Sequence, residues 1–238
     1  MRRGNMATPA KRTLVVNGVD GPLALTVSPR ARRLSLRLDA GSGEVRVVVP
    51  RAVPEAEVTR FVARHAEWLR RRLAALPPAR PFHDGAVLPY LGEDHRIRHD
   101  PAHRRPVERR DGVFLVGGQP AHLPRRLTDF LRREARRELT GRAHRLAAAI
   151  DRRVAGITVR DTRSRWGSCS AAGRLNFSWR LLLAPEPVLD YVVAHEVAHL
   201  AEMNHGARFW ALVNRLHTDV PAARAWLKVH GAGLHRHG

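Results

Sequence analysis

The chain has 238 residues, 44% of them hydrophobic and 27% charged, which excludes a disordered or low-complexity protein and leaves room for one large domain or two small ones. Its 42 Lys+Arg against 22 Asp+Glu give a formal net charge of +20, nearly all from arginine, so the surface attracts polyanions. One cysteine, Cys169, excludes an intramolecular disulfide and fits a reducing cytoplasm.

Residues 1–12 read as a loose basic tail, with no apolar run behind them of the kind a signal peptide needs. No segment approaches the roughly 18 apolar residues that span a bilayer, so a soluble, cytoplasmic protein with no membrane partner is expected. From 13 to 49 the pattern is strand-like: "TLVVNGV", "LALTVS", "RLSLRLD" and "EVRVVVP" are separated by turn signals at "DGP", "SPR" and "AGSG". Residues 54–76 predict one helix, with Val58, Phe61, Val62, His65, Trp68, Leu69 and Leu73 near one face and Pro77-Pro78 as its stop. Short strands are expected around 87–98 and 112–116, joined by loops at 100–106 and 117–124.

The composition shifts near residue 120. Residues 125–150 predict a long amphipathic helix, 156–162 a short strand, and "RSRWGSCSAAG" (163–173) a loop. In 174–184, Leu175, Phe177, Trp179, Leu181 and Leu183 alternate onto one face, the signature of a strand. A helix over 185–203 opens on prolines, whose missing amide donors cost little in a first turn. Helices over 207–217 and 221–230 close the chain. The expected organisation is a tail (1–12), a β-rich N-terminal region with one helix (13–120), and a second domain (121–238).

The chemistry concentrates in "HEVAHLAEMNH" (195–205). On a helix, His199 lies about 40° and Glu196 about 100° from His195. The apolar residues Val188, Leu189, Val192, Val193, Val197 and Leu200 surround them on every side, so this helix should be buried. Unpaired imidazoles and a carboxylate there would cost several kcal/mol. A divalent metal compensates: two histidines four apart reach one ion, and Glu196 is left beside its water. Asn204-His205-Gly206 falls where the helix should end, and a left-handed cap there would swing His205 back as third ligand. Three histidines and a water make the open site of a catalytic zinc, one ion per chain, whereas one cysteine is too few for a zinc finger. Core histidines bonded to carbonyls would leave a buried Glu196 unexplained.

The other histidines are weaker candidates. His65 and His144 sit on amphipathic helices; His83, His95, His99, His103 and His122 fall in arginine-rich regions where a solvated role is expected; His235 and His237 are open to adventitious metal. In 163–170, Arg163, Arg165 and Trp166 are candidates for substrate binding, an arginine serving as clamp for a carboxylate, phosphate or developing oxyanion. A structural loop with an arginine paired to Asp161 is the competing reading. Cys169 reads as a packing thiol.

The segments "SRWGSCS" (164–170), "GRLNFSWRLLLAP" (173–185), "LDYVVAHEVAHL" (189–200) and "NHGARFW" (204–210) resemble, in order and spacing, the YgjP-like metal-dependent hydrolases, zincin-type proteins related to the WLM and SprT-like metallopeptidases. Gly206 departs from the serine expected at its position. The resemblance implies zinc on His195, His199 and His205, Glu196 as general base, and an α+β fold in which a β-rich N-terminal part precedes a minimal zincin-like domain built on a buried HExxH helix. It implies a zinc-dependent metallopeptidase acting on peptide or protein substrates, and by analogy the 174–184 strand as the edge where substrate adds. The alternatives are a metal-dependent nucleotide phosphohydrolase, which would lack a Gly-rich phosphate cradle, and a nucleic-acid-associated binding module, which has no need of Glu196. With few aromatics among the arginine clusters, nucleic-acid contact is expected to be non-specific and salt-sensitive.

Overall fold

The computed structural model describes residues 12–15, 23–39, 41–163 and 165–238. The expected tail therefore lies outside the described residues except at Arg12, as do the turn at 20–22 and Ser164. The fold is α+β, in two compact units, Met1–Pro77 and Pro78–Gly238.

In the first unit, strands β1 (Arg12–Leu14), β2 (Leu23–Val27), β3 (Ser35–Leu38) and β4 (Val45–Val49) form a sheet of order β1-β2-β4-β3. Val45, Val47 and Val49 alternate into the core, where they meet Val58 and Val62 of α1 (Glu55–Arg64) and Leu69 of α2 (Ala66–Ala74). The single helix expected over 54–76 is thus two. At His65 the ring Nδ1 lies 2.8 Å from the Phe61 carbonyl, the acceptor that a continuous helix would offer to the His65 amide, and that amide donates to Val62 O instead.

The second unit opens with a sheet of order β5-β6-β8-β7, from β5 (Val87–Tyr90), β6 (Glu93–Asp100), β7 (Val107–Arg110) and β8 (Val113–Gly117). Strand β7 lies in the arginine cluster at 103–110. It is an edge strand that buries only Val107, so its sequence carries little hydrophobic signal. His95, expected in a solvated setting, is buried on β6 against Tyr90 and Phe114 and within 3.2 Å of the Arg109 guanidinium.

Helix α3 (Leu123–Ala148) buries Leu123, Leu127, Leu131, Ala135, Leu139, Ala143 and Ala147, a residue every fourth position. This stripe joins one core with the β5–β8 sheet and with a second sheet of order β10-β11-β9. In that sheet β11 (Arg174–Ser178) runs parallel to β9 (Gly156–Arg160) and antiparallel to β10 (Gly167–Cys169).

Two expectations change here. The 163–173 loop contains β10, whose Gly-Ser-Cys sequence has no strand pattern and is held by pairing with β11. The strand expected over 174–184 stops at Ser178 and becomes a 3-10 turn, Trp179–Leu183, with all five residues buried. An alternating strand cannot bury both faces' residues this way unless both faces are covered. Because β11 is the middle strand, it is not the sheet edge; the edges are β10 and β9.

The turn is anchored by Arg180, 5% exposed. Its guanidinium donates to both oxygens of Asp161 at 2.7 and 3.3 Å and to the carbonyls of Leu234 and His237. It also lies 4.5 Å over the Trp179 ring. Burial would raise the Asp161 carboxyl, but the Arg180 hydrogen bonds and charge hold it below its usual range. His235 and His237, open to adventitious metal in the sequence, are buried, and burial with Arg80 and Arg180 nearby pushes His237 down to about 4.

Helices α4 (Glu186–Ala198), α5 (Ala207–Leu216) and α6 (Val220–Leu234) complete the unit. Among the described residues no helix is long and apolar enough to cross a membrane. Arg180→Ala should lower the unfolding free energy by about 3 kcal/mol, since it strands a carboxylate and two carbonyls that the guanidinium now satisfies. Urea titration measures this; a loss below about 1 kcal/mol would mean that water replaces the side chain without penalty.

Candidate metal centre

Helix α4 is buried around most of its circumference: Val188, Leu189, Tyr191, Val192, Val193, Ala194, Glu196, Val197 and Ala198 are all buried. It ends at Ala198, five residues short of the expected 203, with His199 at its C-cap. The amides of Leu200 and Ala201 then bond three residues back, a tightened last turn. Residues 202–206 bring His205 back over the helix end. Neither Asn204 nor Gly206 adopts a left-handed conformation, contrary to expectation; Gly206, at φ −80°, is the N-cap of α5. Having no side chain, it makes no capping bond, which a serine there would supply.

One ring nitrogen from each of His195, His199 and His205 lies within 4.8 Å of the others, the only such group of three or more among the described residues. The Nε2 atoms of His195 and His205 are 3.1 Å apart. His199 Nδ1 lies 3.0 Å from the Glu202 carbonyl; as donor to it, the ring leaves Nε2 free as the lone-pair nitrogen. His195 Nδ1 is buried and meets no hydrogen-bonding partner among the described residues. Burial, then the neighbouring His199, His205 and Arg224 charges, pushes His195 down to about 4, and burial lowers His199 as well. Neutral imidazole is the form that binds metal.

The wall behind these rings comes from α5, and the sequence reading did not single it out. Phe209, fully buried, stacks 4.5 Å from His199 and meets His195 and His205 edge-on. Trp210 stacks on His205 at 5.8 Å. The signal was the aromatic pair in "ARFW", four and five residues after His205, where one helical turn aims both at the imidazoles.

Glu196 is 6% exposed, and burial raises its carboxyl to about 7 against the opposing pull of Arg165. Strand β10 lies directly on it: a Cβ on Gly167 would sit 2.5 Å from Glu196 Cγ and 2.7 Å from Oε1. The carboxylate, the three histidines, Arg165, Gly167, Ser168, Cys169 and Met203 line a cavity of about 520 Å³. Beyond His195 and Glu196 a smaller cavity of about 240 Å³ is lined by Trp166, Tyr191, Val192 and Leu227.

The three loop candidates separate. Arg165 lines both cavities, and Trp166 lines the smaller one while stacking 4.6 Å from His235. Arg163 is exposed and outside both linings, close enough to Asp161 to lower its pKa, although Asp161's bidentate partner is Arg180. Burial and then Glu196 raise the Cys169 thiol, keeping it protonated at neutral pH.

Such a centre, with three imidazole nitrogens converging and a carboxyl group held beside them, offers a donor set that could hold a metal ion. A family model described as the YgjP-like metallopeptidase domain matches residues 32–230. No curated protein and no solved structure matches the chain.

The Gly167–Glu196 contact generates a test. Gly167→Ala should cost about 1–3 kcal/mol of stability, the range for overpacking a filled site, and should displace the Glu196 side chain. Chemical denaturation and a crystal structure of the variant check this; an unmoved carboxylate with parental stability would mean that the strand yields instead.

Proposed function

The chain belongs to the YgjP-like metallopeptidase family, and from that premise we propose that it hydrolyses peptide bonds with one zinc ion held by His195, His199 and His205 and with Glu196 as general base. Family membership makes it a metal-dependent peptidase in general terms. The observation that carries the finer reading is the convergence of three imidazole nitrogens beside a buried carboxylate in an open cavity.

When bound, zinc supplies Lewis acidity, which lowers the pKa of a water and polarises a carbonyl. Glu196 takes the proton from the attacking water and returns it to the leaving amine, the two roles a carboxyl group held beside the metal can serve in turn. The Glu202 carbonyl orients His199, and Phe209 and Trp210 keep the three rings from turning away. Arg165, at the cavity wall, is the candidate to meet a substrate carboxylate or the developing negative charge. An extended peptide would pair along the open edge of β10. In this reading the catalytic domain is 121–238, and the lone cysteine fits activity in the cytoplasm.

Two substitutions test separate parts. His205→Ala leaves two imidazoles, and elemental analysis after dialysis should find most of the zinc lost; unchanged zinc would remove His205 from the ligand set. Glu196→Gln keeps shape but loses the base, so zinc content and melting temperature should hold while peptide hydrolysis falls at least ~100-fold. Near-parental hydrolysis would exclude Glu196 as base, and turnover of nucleotides alone would exclude the peptidase reading.

A further inference from the structure

The β10-β11-β9 sheet turns Leu175 and Phe177 into the core, while Arg174 on β11 and Thr158 and Arg160 on β9 are exposed and Asn176 is half-buried. Register sets Thr158 beside Asn176 and Asn176 beside Ser168 on that outer face, with Arg174 and Arg160 at its two ends. Four residues of strand separate the two arginine levels, about 13 Å at strand rise, the span of four residues in an extended peptide. A groove of about 590 Å³ runs over this face. It shares Arg165, Ser168 and Cys169 with the cavity at the three histidines, so the two adjoin at β10.

Among the described residues the groove is lined by three arginines and no acidic residue. The nearest carboxylate in sequence, Asp161, is taken by Arg180. Thr158 Oγ1 donates to Asn176 Oδ1 at 3.0 Å, which leaves the Asn176 amide hydrogens to donate outward. Cationic forks and amide donors facing one solvent-filled channel are complementary to carboxylates. Among the described residues no aromatic side chain lines the channel to stack a base, so a nucleic-acid strand fits it less well.

We propose that this groove binds an acidic stretch of the polypeptide substrate, with Arg160 and Arg174 as its specificity-determining residues, while the adjoining chain enters the histidine cavity. The assignment of that stretch to a substrate rests on the peptidase reading above.

Binding is measured by fluorescence anisotropy on the zinc-loaded full chain carrying Glu196→Gln, so that turnover does not intervene. The probes are a labelled peptide of alternating Glu and Ala and its counterpart with Gln for Glu. The acidic peptide should bind about tenfold tighter, the scale of two partly exposed ion pairs, and the difference should shrink with salt. Arg160→Gln/Arg174→Gln should remove most of that preference. Arg104→Gln/Arg125→Gln, an equal loss of charge at exposed positions outside the groove, should retain it, with circular dichroism confirming that both variants fold.

Equal binding of the two peptides, or an equal loss in both arginine pairs, would overturn the proposal by reducing the effect to overall charge. A single-stranded oligonucleotide that binds tighter than the acidic peptide, and weakens more in the groove variant, overturns it in favour of a nucleic-acid track. Cleavage is assayed separately with the parent chain. Preference for the acidic peptide without any cleavage keeps the acidic-peptide site and removes the peptidase reading; cleavage without the preference does the reverse.

Discussion

A helix buried on nearly all sides cannot carry two imidazoles and a carboxylate at its end unless the surrounding elements leave them somewhere to point. That constraint organises the Pro78–Gly238 unit. Gly167 is bare because Glu196 occupies the space its Cβ would fill, so β10 and α4 can approach until the carboxylate is desolvated. The same approach that raises the Glu196 carboxyl also gives the cavity its wall at Gly167, Ser168 and Cys169. Electrostatics and shape here have one cause.

Two buried arginines hold the frame. Arg142 on α3 pairs with Glu138 on its own helix and with Glu186 and Asp190 in the first two turns of α4, fixing that helix at the end away from the histidines. Arg180 ties the turn after β11 to Asp161 beyond β9 and to main-chain carbonyls at the end of α6. α6 in turn is capped by His235, which stacks on Trp166, and carries Gly231, whose missing side chain lets that indole come within 3.2 Å of its Cβ position. The chain thus reaches Arg165 and β10 already anchored on both sides. The surplus of arginine is therefore not only a solvated surface: part of it is structural, and part lines the channel beside the centre.

Reading the sequence worked where a pattern was long or chemically unusual. The stripe of α3, with its apolar residues three and four apart, is plain, as is a helix with no polar face around His195 and Glu196. It failed where a neighbour decided the outcome. Gly167–Cys169 carries no strand pattern and is a strand because β11 offers it partners. Residues 179–183 continue the alternation of β11 yet fold into a turn, because Arg180 must reach Asp161 and both sides of the segment are covered. The left-handed cap expected at Asn204 and Gly206 was unnecessary, since a tightened last turn from His199 brings His205 back without it.

What the sequence determined by itself was the α+β class, the burial of α4 and the identity of the groups concentrated at its end, since these depend on residue type and on spacing along one element. Only the tertiary structure decided which nitrogens meet within 4.8 Å, which strands lie at the sheet's edges, and which arginines face a cavity. The physical reason is that these depend on contacts between segments far apart in the chain. Phe209 has no reason to matter until its helix lies on the imidazoles, and Arg165 none to differ from Arg163 until the fold sets it, and not Arg163, in the lining of the cavities.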